Sequence, residues 1–305
     1  MARSIQFIGD IYAARRLVAQ PVISFEFFPP KTPEGDVALL ERTIPALAKF
    51  EPDYCSMTYG AGGSTREKSL MVVERIQRDH GLTALAHLTC VNATRAEIAE
   101  IVQQARRVGV KNILALRGDP PGGAGEFTKT EGGFEFSSEL VAYLRGNGDF
   151  SIGVAGFPEG HVACKEGKLV DWDRLKRKID AGADFVITQL FFDNADFYEF
   201  RDHLTMKLGV TVPLVAGILP ILSGAQIKRF AGMSGARIPE RMLKRLEELG
   251  GDEAIESAYG IEYATEQCRD LLANGIEGLH FYTLNKVPSV AAVLKNLNLP
   301  GHMGR

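Results

Sequence analysis

The chain has 305 residues, 45% hydrophobic and 24% charged, the composition of a soluble globular protein with room for one large domain or two small ones. A formal net charge of −3 leaves no global basic field for nucleic acid or an anionic membrane, and no run approaches the ~18 apolar residues of a membrane helix. Four cysteines, Cys55, Cys90, Cys164 and Cys268, stand far apart with no CxxC pair, which reads as reduced thiols in a cytoplasmic protein.

Met1–Gln20 carries Arg3, Arg15 and Arg16 among apolar residues and lacks a continuous apolar core. It reads as an amphipathic helix rather than a signal peptide. Short apolar runs then recur at Val22–Phe28, Tyr54–Tyr59, Ala84–Cys90, Asn112–Arg117, Ser151–Phe157, Phe185–Phe192, Leu214–Pro220 and Gly278–Leu284. Each is followed by a polar or glycine-rich turn and a helical pattern. Near-continuous apolar strands alternating with helices predict a parallel sheet buried on both faces. Eight such units predict an α/β fold, a (β/α)8 TIM barrel formed as one catalytic domain over residues 1–305.

The helices carry their own punctuation. Thr32 before Pro33 predicts a cap and a first-turn proline, and Pro45 predicts a kink or break. Thr94 with Glu97 predicts a capping box for a helix ending at Gly109. Trp172, Leu175 and Ile179 give helical spacing over Asp171–Ala181, with a stop at Gly182. Another helix is expected from Asn194 to Gly209, and Ser289–Leu297 closes the barrel. Two connections are long. Pro120–Gly133 predicts a mobile loop above the barrel. Leu222–Glu277 predicts extra helices between strands seven and eight, around Gln226–Met233, Pro239–Leu249 and Glu253–Asn274.

Working residues of such a barrel sit where strands end. The first strand, Ser24-Phe25-Glu26-Phe27-Phe28-Pro29-Pro30, puts Ser24, Glu26 and Phe28 on one face and Phe25 and Phe27 on the other. A carboxylate among apolar groups is expected to be harder to ionise, the preparation of a general acid. The alternative is a glutamate paired with an arginine across the barrel. Gly60–Gly63, followed by Ser64 and Thr65, reads as an anion-approaching loop or simply as a tight turn. Arg117-Gly118-Asp119 is either a ligand-binding pair or a structural ion pair. His87, His161 and His280 fall on strand ends without metal-ligand spacing, so hydrogen-bonding roles and no metal are expected. Lys176-Arg177-Lys178 is either a solvated helix face or a pyrophosphate grip.

The motifs SFEFFPP (Ser24–Pro30), TYGAGGSTRE (Thr58–Glu67), HLTC (His87–Cys90) and ILALRGDPP (Ile113–Pro121) resemble those of the methylenetetrahydrofolate reductase family. AGFPEGH (Ala155–His161), ITQLFFD (Ile187–Asp193), GILPI (Gly217–Ile221) and HFYTLN (His280–Asn285) continue the match in order to the eighth strand. The resemblance is to the bacterial type, a catalytic barrel alone. It implies FAD, reduced by NADH or NADPH, which leaves before methylenetetrahydrofolate binds, accepts hydride and becomes the methyl donor for methionine synthesis. It implies a homo-oligomer, dimer or tetramer.

By the same resemblance Glu26 is the general acid, and Asp119 tunes the flavin and stabilises the cationic folate intermediate. Ser24, Gln189, Gln226, Phe230 and Tyr282 would meet the substrate, with Lys286 in place of an arginine that holds the glutamate tail. FAD contacts carry over to Thr58, His87, Leu116, Arg117, Gly118, Asp119 and His161. They extend to Asp171, Arg174, Arg177 and Lys178, and to Phe136, Ser137 and Phe157. Phe157 and Phe136 stand where the family has tyrosines, and each lost hydroxyl bond is worth about 1 kcal/mol net. Arg174 replaces a shorter polar side chain. A folate barrel moving a one-carbon group without hydride chemistry is the competing class, but no clustered cysteines support it.

Overall fold

Residues 4–59, 66–120 and 127–304 are described by a computed structural model. Its elements run α1 (Ile8–Leu17), β1 (Val22–Phe27), α2 (Pro33–Ala38), α3 (Ile44–Ala48), β2 (Tyr54–Met57), α4 (Arg66–His80) and β3 (Ala84–Thr89). They continue with α5 (Arg95–Arg107), β4 (Asn112–Leu116), α6 (Ser137–Gly146), β5 (Ser151–Gly156), α7 (Lys168–Asp180) and β6 (Phe185–Thr188). The chain ends with α8 (Asn194–Asp202), β7 (Leu214–Ile218), α9 (Gly224–Ser234), α10 (Glu240–Glu248), α11 (Glu253–Ala273), β8 (Gly278–Tyr282) and α12 (Val287–Leu297).

Each strand pairs in parallel with the next, and β8 returns to β1, so the sheet is a closed eight-stranded barrel. Strand alternation decides which side chains enter it. Ile23, Phe25 and Phe27 point out and join Cys55, Met57, Ile113, Val154 and Phe281 in the core beneath the helices. Val22, Tyr54, Leu85, Leu114, Phe185, Ile187 and Val215 point in and fill the lower barrel. Ile8, Ile11 and Tyr12 of α1 belong to this inner cluster, so the N-terminal helix plugs the foot of the barrel. The expected split of Ser24 and Glu26 from Phe25 and Phe27 holds, and it leaves the upper interior polar.

Local signals work where chemistry is local. Thr32 accepts from the Gly35 amide at 3.1 Å, and Thr94 with Glu97 forms both halves of a capping box. Gly109 and Gly209 follow their helices at φ +74° and +65°. Helix α8 is capped by the Asp193 carboxylate and passes into a π-helical turn, His203–Lys207. Of the kink or break expected at Pro45, the break does not occur. The chain instead widens into a π-helical turn at Leu39–Thr43 and continues helical through Pro45. The wider turn accommodates the missing proline N–H and relieves the ring's clash with the preceding turn. Leu39, Leu40, Ile44 and Leu47, all buried, hold the segment on the barrel. Helix α7 starts at Lys168, three residues before the expected Asp171, after Gly167 at φ +97°.

The long connection after β7 forms three helices, as expected. They cover a satellite core of Leu190, Phe192, Leu219, Ile227, Met242 and Leu246. Among the described residues no helix is long and apolar enough to cross a membrane.

Trp172 anchors α7. It is fully buried, sits edge-on to Phe200 at 5.6 Å, and donates its indole N–H to the Phe157 carbonyl at 2.9 Å. Trp172→Ala should lower unfolding stability by about 3–5 kcal/mol through the cavity and the orphaned carbonyl. In urea titration the midpoint should fall with the slope unchanged.

Candidate active site

Glu26 lies near the upper end of β1, only 5% exposed, inside the barrel. Its backbone is pinned by β8: Thr283 Oγ1 donates to the Glu26 carbonyl at 2.6 Å. Asn285 clamps Phe28 twice, accepting from its amide at 2.9 Å and donating to its carbonyl at 2.8 Å. The Glu26 carboxyl has three neighbours from three strands. His280 Nε2 on β8 is 3.2 Å from Oε2, Ser56 Oγ on β2 is 3.4 Å away, and His87 Nε2 on β3 is 3.5 Å away. Ser56 Oγ also meets His87 Nε2 at 2.8 Å.

Two expectations are corrected here. The partner across the barrel is a pair of imidazoles, not an arginine. Glu26 is also not harder to ionise. Burial favours its protonated form, but the hydrogen bond from His280, the electrostatic influence of the His87 and His280 rings, and the Ser56 hydroxyl outweigh burial and hold the carboxyl below its ordinary range. Burial pushes His87 down to about 4 against the pull of Glu26, so its imidazole is neutral at neutral pH. Ser24, expected at the substrate, is fully enclosed below Glu26, with its hydroxyl 2.7 Å from His280 Nδ1. A ligand above Glu26 would feel Ser24 only through His280. Ser56 belongs to this site although it did not stand among the expected residues, and His280, expected at a strand end in a hydrogen-bonding role, takes that role beside Glu26. The alternation that placed Glu26 inside also places Ser56, two residues before Thr58, and His280, two before Tyr282.

A second cluster stands at the ends of β4 and β5. Leu116 ends β4, and Gly118 turns the chain at φ +85°. A Cβ on Gly118 would lie 2.6 Å from Val91 Cγ1, so only glycine lets the loop close on the neighbouring one. Arg117 faces the Phe127 ring at 5.0 Å. Phe157 and His161 meet edge to face at 4.5 Å, and the His161 amide donates to Asp171 on α7. Lys178, two α7 turns further on the same face, donates to the Ala155 carbonyl at 2.6 Å. Burial, against the pull of Asp171 and with Arg117 adding to it, lowers the Lys178 ammonium to about 8. Burial and the field of Arg117 also lower His161.

Among the described residues Arg117, Asp119 and Lys178 have no salt-bridge partner, so the structural ion pair of Arg117 with Asp119 is absent. Thr89 Oγ1, at the end of β3 beside Gly118, is buried without a hydrogen-bond partner. Unpaired cations beside an unpartnered hydroxyl suit a ligand carrying both anionic and hydrogen-bonding groups, as FAD does. The basic run divides: Lys176 pairs with Asp180 on the surface, whereas Lys178 turns inward. Arg177 and Arg174 are exposed, and Arg174 pairs with Glu166. Phe136 is 54% exposed just before α6, and Ser137 begins that helix.

The remaining residues surround the mouth. Thr58 follows β2, and Gln189 follows β6 with its side-chain oxygen accepting the Leu190 amide. Gln226 on α9 accepts the Leu222 amide, and Phe230 is one turn further along that helix. Tyr282 donates to the Thr188 carbonyl at 2.7 Å, and Lys286 is exposed before α12. Residues 60–65, with the expected glycine loop, and residues 121–126 of the long β4–α6 connection lie outside the described residues. Among the described residues no three His, Cys, Asp or Glu side chains are grouped to hold a metal ion. An open groove of about 990 Å³ lies between α8, α10 and α11, lined by none of the expected site residues.

An enclosed carboxylate on β1, with a cationic cradle at β4 and β5, defines a (β/α)8 barrel with its site at the C-terminal ends of the strands. A model of the methylenetetrahydrofolate reductase family matches residues 13–298, and the chain belongs to that family. It is 38% identical over 280 residues to the 5,10-methylenetetrahydrofolate reductase of Salmonella typhimurium, covering 92% of either chain. It is 41% identical over 290 residues to methylenetetrahydrofolate reductase (NADH) 1 of Arabidopsis thaliana, covering 92% of this chain and 49% of that one. The chain thus spans about half the length of the plant relatives it matches. A solved structure from Clostridium thermocellum, an uncharacterized protein that binds two copies of 5-methyl-5,6,7,8-tetrahydrofolic acid, shares the fold. Its TM-score is 0.65 at 17% identity, over 96% of this chain and 99% of that one.

Proposed function

We propose that this chain reduces 5,10-methylenetetrahydrofolate to 5-methyltetrahydrofolate, with NADH or NADPH as hydride donor and FAD as carrier. The observation that carries the reading is Glu26, enclosed at the mouth with its carboxyl among two imidazoles and a serine hydroxyl. Family membership supplies the substrate class, and the name of the Arabidopsis relative favours NADH.

Bound FAD supplies the hydride relay between nicotinamide and folate. The chain's own residues do the rest. Glu26 protonates the nitrogen that leaves when the bridging ring opens. Asp119 places negative charge beside the cationic folate. Gln189 and Gln226 exchange their present backbone bonds for bonds to the ligand, Phe230 stacks on it, and Tyr282 walls the space between them. Lys286 meets the glutamate tail as a point charge without the arginine fork. Arg117 and Lys178 hold the pyrophosphate, with Thr58, His87, Leu116, Gly118, His161, Asp171, Arg174 and Arg177 around the cofactor. Phe136, Ser137 and Phe157 flank it. Residues 1–305 act as one catalytic domain in a cytoplasmic homo-oligomer, and the product feeds methionine synthesis.

A visible spectrum of the purified protein before and after anaerobic NADH tests the reading. A yellow protein should be bleached by NADH without folate and recoloured by methylenetetrahydrofolate. A colourless protein that does not take up FAD, or a reduced one that folate leaves unchanged, would sink it.

A further inference from the structure

Glu159, in the AGFPEGH motif, has no part in the proposed chemistry, yet its carboxyl bridges two connections at the mouth. The β5–α7 connection carries Glu159 together with Phe157 and His161, and it is fixed from its own side. Trp172 and the Gly160 amide each donate to the Phe157 carbonyl at 2.9 Å, and the His161 amide donates to Asp171 at 3.2 Å. Helix α9, with Gln226 and Phe230, is held differently. Of its eleven residues only Ile227 and Ala231 are buried, so apolar packing gives it few anchors. Its ends are tied instead by carboxylates from elsewhere in the chain. Glu256 on α11 accepts the Gly224 amide at 2.9 Å, and Glu159 accepts the Arg237 amide, three residues past α9, at 2.8 Å.

Close packing puts Glu159 in reach of that amide. Helix α9 runs out at Gly235, at φ +76°, where a Cβ would lie 2.2 Å from Val162 Cγ1 of the β5–α7 connection. Only glycine lets the two segments approach so closely. A second tie leaves the same link: the Arg237 guanidinium is 2.9 Å from Asp196 and 3.8 Å from Asp193. That side chain is 59% exposed, so its ion pairs are worth little. The Glu159 bond is half-buried and sets a carboxylate against a backbone N–H, which makes it the stronger of the two.

We propose that Glu159 is a positioning residue for the substrate: it latches α9 to the fixed β5–α7 connection and so sets where Gln226 and Phe230 meet folate. The inference rests on α9 being a substrate helix, as the proposed function has it. Without the latch α9 spends time away from the mouth, and folate binds only the fraction of molecules that have it in place. Once folate is bound, α9 is in place and the reaction runs as before. The loss therefore falls on substrate affinity and not on the rate of the bound complex.

The test compares Glu159→Ala and Glu159→Gln in the FAD-loaded enzyme. In Glu159→Ala the Kd of 5-methyltetrahydrofolate, read by calorimetry, should rise about tenfold, the worth of one hydrogen bond to a charged group. Half-saturating methylenetetrahydrofolate in the folate half-reaction should rise with it. The limiting rate of that half-reaction and the Kd of FAD should stay within about twofold of the parent, and FAD binding also reports that the variant is folded. Glu159→Gln keeps an oxygen for the Arg237 amide and should return folate affinity to within about twofold of the parent. Parent-like folate binding in Glu159→Ala, where Phe230→Ala weakens it, overturns the latch and leaves the substrate helix standing. Glu159→Gln as impaired as Glu159→Ala makes the charge rather than the bond responsible and overturns the latch as well. Folate binding that neither Gln226→Ala nor Phe230→Ala weakens removes α9 from the substrate, and the latch with it.

Discussion

Glu26→Gln should slow folate reduction by about a hundredfold or more while leaving NADH-driven flavin reduction within about twofold of the parent. The size follows from general acid catalysis, worth about 10²–10⁴ in rate. The selectivity follows from position. Glu26 is the only carboxyl within reach of His280, His87 and Ser56 among the described residues. It sits on β1, whereas the cationic cradle is built from β4, β5 and α7. Glutamine keeps the side-chain length and an oxygen for the His280 N–H, so packing is preserved and only the capacity to take up and hand on a proton is lost. Single-turnover stopped flow of each half-reaction checks it. Equal loss in both halves would make Glu26 a structural residue, and full folate activity would remove it from the chemistry.

The fold was legible because a barrel strand is buried on both faces. Runs such as Val22–Phe27 and Gly278–Tyr282 are apolar enough to stand out, and period-two alternation told Phe25 from Glu26. Caps such as Thr94 with Glu97 were legible because partner and donor lie within one turn. Strand ends were less so. The apolar run Phe185–Phe192 leaves the ladder after Thr188, since Leu190 and Phe192 cover the satellite core beneath the inserted helices. Pro45 was half legible for a related reason: local sterics called for a kink or a break, and buried Leu39, Leu40, Ile44 and Leu47 favoured a wider turn over a lost helix. The charge state of Glu26 was not legible from β1. Its phenylalanine neighbours argue for a neutral acid, yet His280 lies 254 positions along the chain and Ser56 lies 30. Only barrel closure brings β8 and β2 to the two sides of β1 and reverses the sign of the shift.

Lys178 carries the second large expectation, and it has opposite signs for the empty and the loaded chain. Its ammonium is lowered to about 8, chiefly by burial, from an ordinary value near 10.5. The folded chain therefore binds this proton less well than the unfolded chain, and stability rises as pH climbs from about 8 to about 10.5. The side chain is partly covered rather than sealed, so solvent screening reduces the effect to about 1–2 kcal/mol. Lys178→Met should abolish that rise in urea titrations of the FAD-free protein. A pyrophosphate beside Lys178 reverses the balance, because a hydrogen bond to a charged group is worth about 1.5–3 kcal/mol. Lys178→Met should weaken FAD binding about tenfold to a hundredfold at neutral pH. FAD raises the proton affinity of the ammonium, so parent affinity should hold through pH 8, then fall and converge on that of the variant. Equilibrium titration of FAD fluorescence across this range measures both. Equal affinities at neutral pH would place the pyrophosphate elsewhere, and the cation would then be a burial strain with no ligand to offset it.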